Sequence, residues 1–317
     1  MINLETPKKF RPLVTQANHV AREIFRPISR KYDEAEHEYP KELDVLAQLI
    51  EGMNEGSGMG AGAAGVSGGE DTTDSGGVRN GTNLSTVLGI IELCWGDVGL
   101  LLTMPGQGLG NSAIASVATG EQLEKYGGKW AAMAITEPEA GSDSAAIRTT
   151  AVLDGDEYVL NGDKIFVTSG DRADLIVVWA SLDRSVGRAA IKSFIVERDN
   201  PGLKLDRLEH KLGIRASDTA NFTLQDCRVP KDALLGSPEV DVKKGFAGVM
   251  KTFDNTRPLV AGMALGVTRA ALEETRSRLE GAGVEIDYDT PALSQSAAAA
   301  RYLEMEADYE AALMLTL

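Results

Sequence analysis

A chain of 317 residues, 43% of them hydrophobic, can bury a substantial core and is expected to fold as two or three domains. Its 47 acidic and 32 basic side chains leave a formal charge of −15, which argues against a nucleic-acid or anionic-membrane surface, since polyphosphate partners need basic patches; one phosphorylated ligand remains compatible. Cys94 and Cys227 are too few for a disulfide framework or an all-cysteine metal site. No apolar run reaches about 18 residues and the first residues lack an apolar signal core, so membrane insertion is not expected and the cytoplasm is the default location.

Phe10, Leu13, Val14, Ala17, Val20, Ala21 and Ile24 recur at helical spacing until Pro27, which is expected to interrupt the helix. A second helix is expected over residues 41–51, where Leu43, Leu46, Ala47 and Ile50 share a face. His19 and His37 have no cysteine or paired histidine near them in sequence; they are expected to be solvated, and no metal site is expected. Residues 52–83 are glycine-rich and then polar, a composition that builds no core and reads as a flexible loop. Leu84, Val87, Leu88, Ile91 and Trp95 next mark a helix face, and the apolar run 100–104 breaks at Pro105-Gly106. Asn111 reads as the cap of a helix holding Ile114, Val117 and Ala118, and residues 121–126 as a short polar helix stopped by Gly127-Gly128. Residues 1–130 thus form an N-terminal helical domain.

Over residues 131–242 the period becomes two. Ile147, Thr149, Ala151 and Leu153 alternate before an Asp154-Gly155 turn; residues 158–160 precede an Asn161-Gly162 turn; 175–179 and 191–196 are stronger strands; Ala220, Phe222 and Leu224 alternate again. Close turns without a long intervening helix indicate an antiparallel β-barrel or sandwich, and no G-x-G-x-x-G motif supports a nicotinamide fold. Over residues 243–317 the helical period returns. Phe246, Val249, Met250, Phe253, Val260, Ala264, Val267 and Ala271 form an apolar stripe, which Pro258 is expected to kink. Gly281-Ala282-Gly283 ends that helix, and Pro291 starts another that is still helical in pattern at Leu317. The fold class is α+β: an N-terminal helical domain, a middle antiparallel β-barrel or sandwich, and a C-terminal helical bundle that reads as incomplete, as in a fragment or a shortened subunit.

One stretch suits a ligand-holding loop: Met133-Ala134-Ile135-Thr136-Glu137-Pro138-Glu139-Ala140-Gly141-Ser142-Asp143. It joins an apolar lead-in to hydroxyls, carboxylates, a proline and a small-residue turn, a combination that fits a polar planar ligand. The stretch resembles the flavin-binding signature of the acyl-CoA dehydrogenase family, and Asn161-Gly162-Asp163-Lys164-Ile165-Phe166-Val167-Thr168-Ser169-Gly170 resembles that family's second signature. Further matches in the same order are Lys211-Leu212-Gly213-Ile214-Arg215-Ala216-Ser217-Asp218-Thr219, Arg228-Val229-Pro230 with Leu234-Leu235-Gly236, and Phe253-Asp254-Asn255-Thr256-Arg257-Pro258. The resemblance is weakest at residues 51–83 and after residue 278.

The resemblance implies α,β-dehydrogenation of an acyl-CoA thioester with FAD as cofactor, electrons passing to an electron-transfer flavoprotein, in lipid or sterol side-chain β-oxidation. By motif match, Met133, Ile135, Thr136, Gly141, Ser142, Phe166 and Thr168 bind the flavin. Thr136 serves the pyrimidine edge, Phe166 packs on the ring where many members have Trp, and Thr168 points toward N5. Ser142, Asp218 and Arg257 fall to the substrate side, although Asp218 equally suits a turn cap and Arg257 a pair with Asp254. Lys211 and Arg215 form a basic segment that suits either a phosphate or a solvated strand edge.

Two departures from the family pattern stand out. The catalytic base is unassigned: most members carry a Glu on a late C-terminal loop, a minority at the position held here by Thr256, and Asp254 lies about 200° round the helix from it. The family's Arg-x-x-Phe segment, whose Arg reaches a neighbouring subunit's flavin, is replaced by Leu279-Glu280-Gly281-Ala282-Gly283-Val284-Glu285-Ile286. Some actinobacterial relatives share this pattern and assemble from unlike subunits, so a heterotetramer with a homologous subunit is expected ahead of a homotetramer. The alternative is a non-catalytic flavin- or acyl-CoA-binding partner in such a heteromer.

Overall fold

The computed structural model describes residues 6–47, 82–106, 109–240 and 247–317; the glycine-rich stretch expected to be a loop lies, up to residue 81, outside them. In chain order the helices before the sheet are α1 (Arg11–Val20), α2 (Arg26–Ala35), α3 (Thr82–Gly96), α4 (Val98–Thr103), α5 (Leu109–Val117) and α6 (Gly120–Tyr126). The strands are β1 (Ala131–Ala134), β2 (Thr150–Asp154), β3 (Glu157–Thr168), β4 (Leu175–Ser181), β5 (Ile191–Glu197), β6 (Leu203–Leu208) and β7 (Thr219–Pro230). They are followed by α7 (Ala247–Gly281) and α8 (Ala297–Thr316). Two compact units result: a helical one of Met1–Ser29, Gly81–Val98 and Arg257–Leu317, and one holding the sheet, Arg30–Asn80 and Gly99–Thr256.

In the helical unit, Pro27 does not end the first helix as expected. A π turn, Ala21–Phe25, joins α1 to α2, and the Arg26 N–H reaches back five residues to the Ala21 carbonyl. That widened turn supplies the slack a proline needs where it can donate no N–H of its own. α3 is buried on nearly all sides, through Val87, Ile90, Ile91, Leu93, Cys94 and Trp95. α7 continues through Pro258, and over its described side chains, from Thr256 onward, the face it buries is not that of the expected stripe. Leu259, Leu265 and Leu272 are buried, whereas Val260 and Val267 are 58% and 44% exposed, and Ala264 and Ala271 are exposed with them. The contact is instead set by glycines: a Cβ at Gly266 would meet the Ile91 carbonyl, with Cys94 Cβ at 2.7 Å and the Trp95 nitrogen at 2.9 Å. Small residues let two backbones approach, so the buried face sets Gly262 and Gly266 among Leu259, Leu265 and Leu272. Phe246 and the side chains of Val249, Met250 and Phe253 lie outside what the structure describes. The buried Glu92 carboxylate takes both Arg269 Nη atoms at 2.7 Å and Asn18 Nδ2 at 2.7 Å. At the last helix, Pro291 opens only a short 3-10 turn; Ser296 caps α8 by accepting the Ala299 N–H at 3.2 Å.

The second unit is organised on one seven-stranded sheet, ordered β1-β4-β2-β3-β7-β6, with β5 also on β4. Pairings β2–β3, β3–β7, β4–β5 and β6–β7 are antiparallel, as the close turns require. β1 and the first residue of β2 run parallel to β4, which is possible because the β2–β3 hairpin intervenes in sequence between β1 and β4. Every residue of β4 is buried. The expected turn at Gly155 is present, with φ of 65°. The expected turn at Asn161-Gly162 is not: β3 runs straight through it over a bulge. Gly162 takes φ of 150°, and a Cβ there would lie 2.8 Å from Thr149 Cα, so the glycine serves close approach rather than reversal. Asn111 is not a cap either. It sits inside α5, donating to the Lys129 carbonyl at 2.7 Å and accepting the Ala131 N–H at 2.9 Å, and so ties α5 to β1. α6 is as expected, with Thr119 and Gln122 forming a reciprocal capping box.

Candidate functional site

The loop after β1 leaves the sheet at Ile135 and is pinned on both sides. Glu137 and Ala140 exchange backbone hydrogen bonds of 3.0 and 3.1 Å, closing a tight turn over Pro138 and Glu139. The Ile165 N–H donates to the Thr136 carbonyl at 2.9 Å, so β3 holds the loop's backbone directly. Beneath it, Glu137 points inward, 6% exposed, and accepts from the Arg148 N–H (2.6 Å), the Thr149 N–H (3.0 Å), the Thr149 hydroxyl (2.5 Å) and Lys164 Nζ (2.7 Å). Lys164 has no exposed side-chain surface and also donates to the Ile135 carbonyl at 3.1 Å. Burial pushes its ammonium down to about 8; burial works to raise Glu137, but Lys164 and the surrounding donors outweigh it and hold the carboxyl below its usual range.

Just beyond Lys164 the pairing with β7 slips by a bulge. The bulge puts Phe166 at φ of 60° and leaves its ring 59% exposed. The Phe166 N–H, turned out of the ladder, is received by Asn221 Oδ1 at 3.1 Å, and Asn221 is itself held by Glu209 at 2.6 Å. A bulky residue in left-handed backbone with an outward aromatic face is a costly arrangement, retained where surrounding contacts dictate it. Thr168 follows, paired in register with Thr219. Among the described residues the hydroxyls of Thr136, Ser142 and Thr168 take no hydrogen-bond partner. Ser142 and Gly141 are exposed, Thr136, Thr168 and Met133 half-buried, and Ile135 buried.

The remaining candidates divide. Asp218 is 1% exposed; it faces Arg172 Nε at 3.4 Å and accepts the Asp171 N–H at 2.9 Å, and burial pushes its carboxyl above the usual range against the pull of Arg172. Arg172 is the hub of this corner, donating to Thr103 Oγ1, the Ala216 carbonyl and the carbonyls of His37 and Glu38 at 3.0 to 3.2 Å. Arg257 is exposed on α7 in the helical unit, and Thr256 beside it is buried. Lys211 and Arg215 are both half-buried and engaged: Lys211 Nζ donates to the Ser217 carbonyl at 2.6 Å and Arg215 pairs with Glu36 at 3.2 Å. His37, expected to be solvated, instead has both ring nitrogens shut off from water without a partner, its ring 5.2 Å from that of His210.

Residues 132–227 match the model of the acyl-CoA dehydrogenase middle domain, and residues 243–317 that of the acyl-CoA dehydrogenase C-terminal domain. A solved structure described as the electron transferring flavoprotein of Acidaminococcus fermentans is 31% identical and superposes with a TM-score of 0.78 over 99% of this chain and 79% of its own. The chain belongs to the acyl-CoA dehydrogenase family. Butyryl-CoA dehydrogenase from Megasphaera elsdenii, another member by name, is 29% identical with a TM-score of 0.79, again over 99% and 79% of the two chains. The short-chain-specific acyl-CoA dehydrogenase of Clostridium acetobutylicum is 39% identical over 212 residues, 64% of this chain and 55% of that one. The chain thus spans about half the length of this curated relative.

Within this acyl-CoA dehydrogenase-family chain, Thr136, Ser142, Phe166 and Thr168 all belong to the sheet unit, whereas Arg257 belongs to the helical one. Sequence reasoning passed over the groups that hold them, namely Lys164, Asn221 and Arg172. A signal for Lys164 existed: a lysine placed on a strand between buried Leu160 and Val167 needs a buried partner, and the signature loop offers Glu137.

Proposed function

We propose that this chain is the flavin-binding part of an FAD-dependent acyl-CoA dehydrogenase, with the 135–142 loop and the Phe166–Thr168 bulge holding the flavin ring. The observation that carries the reading is the direct tie between the signature loop and β3, Ile165 N–H to the Thr136 carbonyl at 2.9 Å, next to the exposed Phe166, with the hydroxyls of Thr136, Ser142 and Thr168 uncommitted among the described residues. That donor set suits a flat aromatic ring with hydrogen-bonding edges. When bound, FAD supplies the hydride chemistry at the acyl β-carbon. Thr136 serves the pyrimidine edge, Thr168 the N5 side, and Phe166 covers a face of the ring; Met133, Ile135 and Gly141 shape the loop around it, and Ser142 faces flavin or substrate. Asp218, held by Arg172 in the sheet unit, and Arg257, in the helical unit, are each assigned to the substrate side by the motif match alone.

The functional division in this reading follows residues 1–130, 131–242 and 243–317. Electrons pass to an electron-transfer flavoprotein, in keeping with the described source of one structural neighbour. Short acyl chains are favoured by the relative named short-chain specific, within lipid or sterol side-chain breakdown. Among the described residues no helix is long and apolar enough to cross a membrane, and a cytoplasmic location is part of the proposal.

Thr256 favours a second reading on the question of assembly. It is buried on α7 and bears no carboxylate, and at the end of that helix the Val284 N–H closes on the Leu279 carbonyl at 2.9 Å with no Arg-x-x-Phe pair present. In this reading a base and a cross-subunit nucleotide contact come from an unlike homologous subunit or from residues beyond Leu317, or the chain is a non-catalytic partner. The absorption spectrum of the purified native assembly tests the flavin reading: bound oxidised flavin is expected, and colourless preparations that FAD does not reconstitute would refute it. Native mass measurement tests the assembly. A homotetramer with four FAD that oxidises acyl-CoA by itself would refute the heteromer.

A further inference from the structure

Lys164 sits on a central strand with Phe222 as its register partner on β7, a place where an ammonium is retained only with compensation. A buried ion pair adds little to stability over an apolar pair of the same volume. What an apolar pair cannot do is hold two polar points of another segment. Lys164 bonds the carbonyl of Ile135 and the carboxylate of Glu137, the residues on either side of Thr136, while the next residue of β3 bonds the Thr136 carbonyl. Glu137 in turn collects the backbone of Arg148 and Thr149 at the approach to β2. Three segments meet on this one pair, and the residue they enclose is the one assigned to the flavin edge.

We propose that Lys164 and Glu137 are positioning residues for the flavin, their buried ion pair fixing residues 135–137 in the binding conformation and making flavin affinity depend on the Lys164 proton. The proposal rests on the FAD reading above.

The groups around Lys164 are few. Glu137 is the charged group that bears on it; Thr149 presents a hydroxyl, Ile135 a carbonyl and Phe222 a hydrocarbon ring, while the Arg148 side chain turns to Glu139 at the surface. Burial brings the ammonium to about 8, below its value of 10.5 in an unfolded chain. Between those values the unfolded chain binds more protons at this site than the folded one, so this group makes folding no less favourable as pH rises. The loop, however, loses its counter-charge to Glu137 in that window. Flavin affinity and chain stability should therefore part company above pH 8.

The experiment measures FAD dissociation from the native assembly between about pH 6.5 and 9.5, with thermal denaturation alongside and free FAD as the blank. Wild type should hold FAD with constant affinity at the acid end and weaken through pH 8, without a parallel loss of melting temperature. The charge-free Glu137→Gln/Lys164→Met protein should bind FAD about tenfold or more weakly at neutral pH, with a flat profile. Wild-type affinity and flavin spectrum in that variant would overturn the proposal, as would a wild-type protein that binds FAD with a flat profile. If the double variant does not fold, Glu137→Gln alone decides: it removes the counter-charge, so the inflection must move to lower pH, and an unmoved inflection overturns the idea. A wild type that takes no FAD at any pH overturns the flavin reading itself, a result distinct from a flat profile.

Discussion

Two glycines one turn apart on α7 offer opposite outcomes for the same substitution. Replacing a helical glycine by alanine gains about 1 kcal/mol where the new methyl meets no obstacle. At Gly262 the methyl would rest 3.4 Å from Val87 Cγ1 and 3.5 Å from Ile90 Cγ2, which is ordinary contact, so Gly262→Ala should raise stability by up to about 1 kcal/mol. At Gly266 it would lie 2.7 Å from Cys94 Cβ and 2.9 Å from the Trp95 nitrogen, and closer still to the Ile91 carbonyl. Two of those three atoms are backbone and cannot rotate away, so α3 and α7 must separate, and overpacking of this kind costs about 1 to 3 kcal/mol. Taking the upper part of that range against the propensity gain leaves a net loss of about 1 to 2 kcal/mol, a melting temperature lower by roughly 1.5 to 3 °C for a chain of this length. Circular dichroism melts of the two variants in the native assembly, compared by midpoint, check this. A Gly266→Ala protein as stable as Gly262→Ala would show that the glycine contact does not set the face of α7, and would restore the valine and alanine stripe as the buried one.

The other predictions concern the site and its surroundings. Thr168→Ala removes one hydrogen-bonding group assigned to the flavin, a change of about 0.5 to 1.5 kcal/mol, and should alter the flavin spectrum or reduction rate while lowering the melting temperature only slightly; an unchanged spectrum and rate would remove Thr168 from the site. Glu36 is held down to about 2 by hydrogen bonds from His210 and Arg215, against an ordinary value of 4.5. Its contribution is therefore present above pH 4.5 and lost as pH falls toward 2, so Glu36→Gln should be less stable at neutral pH with a shallower acid transition in that window; an acid transition as steep as wild type would refute the assignment.

The fold class was legible because the two periods separate cleanly. Residues 131–242 alternate and the flanks do not, and the sheet lies where the alternation does. Local signals did worse where one residue type has two uses. Asn161-Gly162 has turn chemistry, but Gly162 is spent on the approach to Thr149, and only the position of that neighbour reveals the choice. Pro27 looked like a stop because the π turn that accommodates it leaves no mark in composition. On α7 beyond Thr256, Val260, Ala264, Val267 and Ala271 mark the exposed face, while the buried one sets Leu259, Leu265 and Leu272 around Gly262 and Gly266, whose close approach to α3 no local pattern shows.

The candidate site shows the same division between what is near in sequence and what is near in space. Thr136, Ser142, Phe166 and Thr168 lie in short recognisable stretches, so the groups offered to a ligand can be found by matching those stretches. The groups that hold them are distant: Glu137 and Lys164 are 27 residues apart, Phe166 and Asn221 are 55 apart, and Arg172 reaches back 135 residues to His37. The first two depend on the loop after β1 lying against β3 and on β3 pairing with β7, which no local window contains. A relative that keeps residues 133–143 but has an apolar residue at position 164 would match the signature in full, yet its Glu137 would be a buried carboxylate without a counter-charge. The loop would then have to turn Glu137 out to water, carrying Thr136 off the Ile165 N–H that holds its carbonyl. On the proposed reading, whether a chain of this kind holds flavin is therefore decided at Lys164 as much as within the signature itself.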